Sequence, residues 1–185
     1  MKLSHLLYTF VLIFMIAACN SAQAPAEESS EETTEEVAEQ ESMDMSDMEA
    51  IDLREYDMDA SIQVPNESNG PREIILTESG NIQIVAGKKF GIEIVPFGMT
   101  PIEKKRELAD DLVYVIEYLE ESQEALVYTK TIKDGDIESE IHFFFSTEIN
   151  GEMIEIKNID GMKYKRSAIE KMLASARSIQ PSSGS

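Results

Sequence analysis

The chain is poor in the groups that carry most protein chemistry. It has one cysteine and two histidines among 185 residues, so an intrachain disulfide is excluded and a Cys/His zinc set cannot be assembled. It has no HExxH pattern and no glycine-rich phosphate loop. It is short of positive charge: 16 Lys and Arg stand against 36 Asp and Glu, a formal net charge of -20. Phosphate binding needs a surplus of cations, so nucleic acid is excluded as a partner and anionic headgroups are repelled. Composition is otherwise ordinary, 42% hydrophobic and 28% charged, which allows a single folded domain with appendages.

The single cysteine is explained by its place. Lys2 precedes an apolar run from Leu6 to Ile16, about the length of a signal-peptide core and too short to span a bilayer. Two small residues then lead to the thiol. The segment Ile16-Ala17-Ala18-Cys19 resembles the lipobox of bacterial lipoproteins. The resemblance implies export, diacylglycerol transfer to Cys19, cleavage before it, and a protein held in the cell envelope by palmitate-type acyl chains. Two or three such chains anchor stably where one is marginal. Residue 20 is Asn rather than Asp, which by the enteric sorting rule favours the outer membrane over the inner one.

Residues 1–18 are thus expected to be signal peptide and 19–50 a lipidated, acidic, disordered tether. From Asn20 to Ala50 there is no Lys, Arg or aromatic residue, and such a stretch cannot bury enough surface to offset its ordering entropy. Glu27, its first acid, is too far from Cys19 to match closely the acidic surface-export signals of some lipoproteins. Met43, Met45 and Met48 form an M-x-M-x-x-M pattern that resembles copper-transport motifs, since thioethers are soft ligands for Cu(I). The plainer reading is that they are apolar residues at a linker's end.

Order is expected from 51 to 180, with 181–185 a tail. Short strands are predicted over 60–64, 73–77, 81–86 and 89–95 from alternating apolar residues. Thr100, Pro101 and Glu103 predict a capped helix reaching about Asp111. Strands over 113–120, 125–132, 136–147 and 152–159, joined by Asp-Gly and Asn-Gly turns, predict a C-terminal four-stranded antiparallel meander. Ser167 and Glu170 predict a capping box, and Ile169, Met172, Leu173, Ala176 and Ile179 one apolar face of a closing helix. The expected class is α+β, an antiparallel sheet packed with two helices. The element order, the opening strand Ala60–Pro65 and the closing helix from Glu170 to Ala176 resemble the PsbP-like α-β-α sandwich. That family shares a fold without common catalytic residues, so the resemblance implies binding or assembly and transfers no site.

Chemistry has few candidates. His142 is the only histidine after Cys19 and is expected on a strand surface or half-buried. Lys104, Lys105 and Arg106 cluster on the first helix, and Lys163, Lys165, Arg166 and Lys171 around the last. They read as ordinary solvated faces or as one patch for an acidic partner or the chain's own tether. The expectation is a non-catalytic envelope lipoprotein, without a cofactor, that binds a partner protein or small ligand. Copper handling and a carboxylate-dependent hydrolase are the alternatives.

Overall fold

The computed structural model describes residues 46–133, 135 and 138–182. The signal segment, Cys19, Met43, Met45, the tether through residue 45, Asp136 at the expected start of one strand, and residues 183–185 lie outside the described residues.

The chain opens with β1 (Met48–Asp52) and β2 (Ala60–Pro65), followed by β3 (Arg72–Leu76), β4 (Ile82–Ala86) and β5 (Phe90–Pro96). Then come α1 (Pro101–Ala109), β6 (Tyr114–Glu121), β7 (Ala125–Ile132), β8 (Glu140–Ile149) and β9 (Glu152–Asn158). It closes with α2 (Arg166–Arg177) and the two-residue β10 (Gln180–Pro181). All pairing is antiparallel, in a three-stranded sheet ordered β1-β2-β10 and a seven-stranded sheet ordered β3-β4-β5-β9-β8-β7-β6. The α+β class with two helices therefore holds. The sheet is not a four-stranded meander, however: β9 also pairs with β5, which joins 114–158 to the upstream hairpins.

Side chains alternate across a pleated strand, so adjacent rows of the large sheet face opposite ways. One row, Ile82–Ile94–Ile156–Phe145–Ala125, is apolar throughout. It belongs to the main core, with Phe143, Ile92 and Ile84. α2 covers this inner face with Ile169, Met172, Leu173 and Ala176, and β2 adds Ala60, Ile62 and Val64. The next row, Gln83–Glu93–Lys157–Phe144–Leu126, faces outward and is apolar only at its β7–β8 end. There Leu108 of α1 closes a second core over Leu126, Tyr128 and Phe144.

Most strand ends shift by a residue, α1 stops at Ala109 rather than about Asp111, and the strand expected over 136–147 is β8, Glu140–Ile149; three further differences have a visible cause. The first strand starts at Met48, ahead of the expected domain start at 51, because Met48 and Ile51 pack on the main core and β1 pairs with β2 along its length. Pro181 is not tail, since it pairs with Ala60. The cap of α2 is Lys165 and its side chain makes no cap bond; Ser167 lies inside the first turn, and Glu170 binds Arg166 Nε at 2.8 Å instead. The box at α1 forms as expected: Glu103 N–H donates to Thr100 Oγ1, and Thr100 N–H donates to Glu103 Oε2.

Phe143 is fully buried at the centre of the main core, whereas Thr100 caps an exposed turn. Urea denaturation should show Phe143→Ala losing about 3–5 kcal/mol. Thr100→Ala should lose only about 1 kcal/mol. Equal losses would contradict a stability dominated by the inner face.

Candidate functional site

A cavity of about 670 Å³ opens where the inner-face cover has a gap. β2 stops at Pro65 because the chain turns there through an Asn66-capped loop, and α2 begins at Arg166. Between these ends the floor is Ala86 and Phe90, the two ends of the β4–β5 hairpin. Pro65, Pro71 and Ala168 add apolar walls. The mouth is fixed by the close approach of Gly70 to Gly87: a Cβ on Gly70 would come within 2.9 Å of Gly87 Cα, and Gly87 N–H donates to Pro71 O at 3.1 Å. Both glycines have positive φ, +124° and +59°, which other residues rarely adopt.

The rim is cationic. Lys88 and Lys89 stand exposed on the hairpin turn, and Lys171 reaches over from α2. Among the described residues no acid lines this cavity, although the chain carries 36. Lys171 is paired with Asp47, which brings the chain's entry into the fold to the same rim. Lys88 and Lys89 form no ion pair among the described residues. A second cavity, about 480 Å³, has the opposite character: Asp57, Asp59 and Glu152 line it with no Lys or Arg.

The cations singled out from sequence do not make one patch. α1 lies on the outer face of the large sheet and α2 on the inner, so the sheet separates them. Lys104 is buried, bound to Glu107 at 2.9 Å with its ammonium 6.0 Å from the Phe144 ring centroid. Lys105 pairs with Glu121 and sits over Tyr118, while Arg166 pairs with Glu120. Arg106, Lys163 and Lys165 are exposed. Met48 is half-buried in β1 against the core, where its thioether fills space. The pair Lys88 and Lys89 went unnoticed because a hairpin turn is expected to be polar; two adjacent lysines were its only signal.

Two carboxylates do converge, on the polar half of the outer face. Lys157 Nζ lies 3.6 Å from Glu93 and 3.5 Å from the buried Glu155. Burial pushes the Glu93 carboxyl up, but hydrogen bonds from Asn81 and Gln83 together with Lys157 outweigh it and hold it below its ordinary value. A general acid needs the reverse shift. The trio is a satisfied ion network, with Gly98 packed so closely on Glu155 that a Cβ there would collide.

His142 is buried rather than on the surface, 4% exposed and stacked on Tyr128. Phe143 N–H donates to Asn158 Oδ1 at 2.9 Å, which turns Asn158 Nδ2 toward His142 Nδ1 at 3.1 Å. Nδ1 is therefore the acceptor and Nε2 carries the proton. Nε2 makes no hydrogen bond, its nearest carboxylate being Glu140 at 3.8 Å. No hydroxyl nucleophile bonds the ring among the described residues, so nothing here forms a catalytic triad. Those residues also hold no cluster of three metal-ligating His, Cys, Asp or Glu side chains. No protein-family model, no curated protein and no solved structure matches the chain.

Burial holds the His142 imidazole below its ordinary value; Lys130 and Lys104 push the same way, against Asp160 and Glu140. The unfolded chain takes up this proton near pH 6.5 while the folded chain resists it. Stability should therefore fall as pH drops below about 6.5. Carboxylates held low, such as Glu93, respond only in more acid solution. Denaturation at stepped pH should show this decline in the wild type and its loss in His142→Gln. An unchanged decline in the variant would contradict the assignment.

Proposed function

We propose that the chain is an exported lipoprotein, anchored in the cell envelope through acyl chains on Cys19, whose folded domain is a non-catalytic module that binds a small ligand. The observation that carries the binding reading is the cavity lined by Lys88, Lys89 and Lys171 and by no acid among the described residues, in a chain of net charge -20, with Asp47 at its rim paired to Lys171. Its volume is in the range of small-molecule sites, roughly 300–1,000 Å³, and its apolar floor with a few polar groups is the usual make-up of such sites. The non-catalytic reading is supported by His142, whose Nδ1 is occupied by Asn158, and by Glu93 and Glu155, which share Lys157.

The anchor rests on Ile16-Ala17-Ala18-Cys19, and Asn20 favours the outer membrane. Among the described residues no helix is long and apolar enough to cross a bilayer. A PsbP-like sandwich is the finer fold assignment. Supporting it are the opening strand that ends at Pro65 and the closing helix α2 lying on one face of an antiparallel sheet, with α1 on the other.

Mass spectrometry of protein extracted from envelopes should find a mature N-terminus at Cys19 carrying the mass of a diacylglyceryl group. Cys19→Ala should remain uncleaved and unlipidated. A wild-type chain that begins elsewhere, or that is recovered without lipid, would overturn the anchor.

A further inference from the structure

We infer that the cavity between the β4–β5 turn and α2 takes an anionic amphiphile: an apolar body seated between Pro71 and Ala168, above the buried Ala86 and Phe90, with a carboxylate or phosphate held at Lys88 and Lys89. This rests on the reading of that cavity as a ligand site and adds the chemistry of the ligand.

The charge pattern selects the headgroup. Acids outnumber bases by 36 to 16 in the chain, so a random surface concavity is expected to be acidic. The cavity at Asp57, Asp59 and Glu152 follows that expectation. The cavity at α2 reverses it, with three lysines and, among the described residues, no acid. Some cations elsewhere are held by partners, Lys105 by Glu121, Arg166 by Glu120 and Glu170, Arg72 by Glu49; Arg106, Lys163 and Lys165 are in no ion pair among the described residues, but they do not line this cavity. Lys88 and Lys89 form no ion pair among the described residues, and they sit side by side on the exposed turn that lines the cavity. Two adjacent unpaired ammonium groups repel each other, and an anion between them removes that repulsion.

Net charge does not forbid this. At physiological ionic strength charges more than about 8 Å apart are largely screened, so the groups at the rim decide what enters. The carboxylate at this rim, Asp47, is already bound to Lys171.

The apolar walls select the body. Phe90 and Ala86 are buried, 3% exposed each, and they join the main core directly beneath the opening. Pro65, Pro71 and Ala168 carry the apolar surface up the walls. An inorganic anion would leave this surface in contact with water; an alkyl chain covers it, at about 0.8 kcal/mol per buried methylene. A headgroup on the rim and a chain between the walls use both halves of the cavity at once. The phosphate of a lysophospholipid and the carboxylate of a fatty acid share this chemistry.

The test uses residues 20–185, the mature chain without its lipid-bearing Cys19. It is titrated at physiological ionic strength with dodecanoate, dodecyl phosphate, dodecyltrimethylammonium and inorganic phosphate, each alkyl probe below its micelle concentration. At least one anionic dodecyl probe should bind about tenfold or more tighter than the cationic one, and inorganic phosphate should bind weakly. Whichever anion is tighter names the headgroup. Lys88→Gln with Lys89→Gln, both on an exposed turn, should remove the preference for anions, and Ala168→Phe should weaken every alkyl probe by filling the wall. If the cationic probe binds as tightly, or the double lysine variant keeps its preference, the anionic assignment is overturned and the ligand site stands. If no alkyl probe binds the wild type, both are overturned.

Discussion

The structure depends on burying both faces of one sheet in its β7–β8 region. In β8, Phe143 and Phe145 point to one side and Phe144 to the other, and all three are buried. In β7, Val127 faces one way and Leu126 and Tyr128 the other. A strand apolar on both sides is stable only if both sides are covered. The inner face is covered by α2 and β2 together, the outer by α1. Every other feature follows from how that cover is shared. The outer face needs α1 only where it is apolar, and toward β4 it carries its own ladder of Gln83, Glu93 and Lys157. The inner face is shared between a helix and a three-stranded sheet, and the cavity lies where these two end.

The same arrangement explains why the candidate cations behave so differently. A lysine on α1 near the sheet finds Glu121, and an arginine on α2 finds Glu120, because neighbouring residues of β6 reach opposite faces around its irregularity at Tyr118/Glu120. Both become struts between helix and edge strand. The lysines of the β4–β5 turn lie at the end of the cover, where they form no ion pair among the described residues. Their availability is a consequence of topology rather than of local sequence.

Much of the fold was legible from local rules. Thr100-Pro101-x-Glu103 specifies a helix start almost alone, and Ala125–Ile132 is found with its expected bounds. Asn150-Gly151 forms its tight turn with φ of +53° and +87°. The parts that were not legible are those decided by distant contacts. β1 is acidic and reads as tether, yet Met48 and Ile51 find the main core once β2 is beside them. Ser167 has the look of a cap, but α2 starts earlier, and Glu170 binds Arg166. His142 looks like a surface residue because Glu140 adjoins it, and is buried because Asn158 and Tyr128 close around it. The cavity was invisible for the same reason: its turn and its helix are separated by some eighty positions in the chain. The proposed anchor rests on a linear motif, Ile16-Ala17-Ala18-Cys19, because export machinery reads sequence, not fold.

The central claim is that the domain exists to hold a ligand at the end of the inner-face cover. Amide hydrogen exchange of the mature chain with and without dodecanoate tests it most directly. Slowed exchange confined to residues 86–90 and 165–171 is the result the account predicts. Protection that falls instead on the exposed apolar stretch Leu112, Val113 and Val115 beside α1 would contradict it.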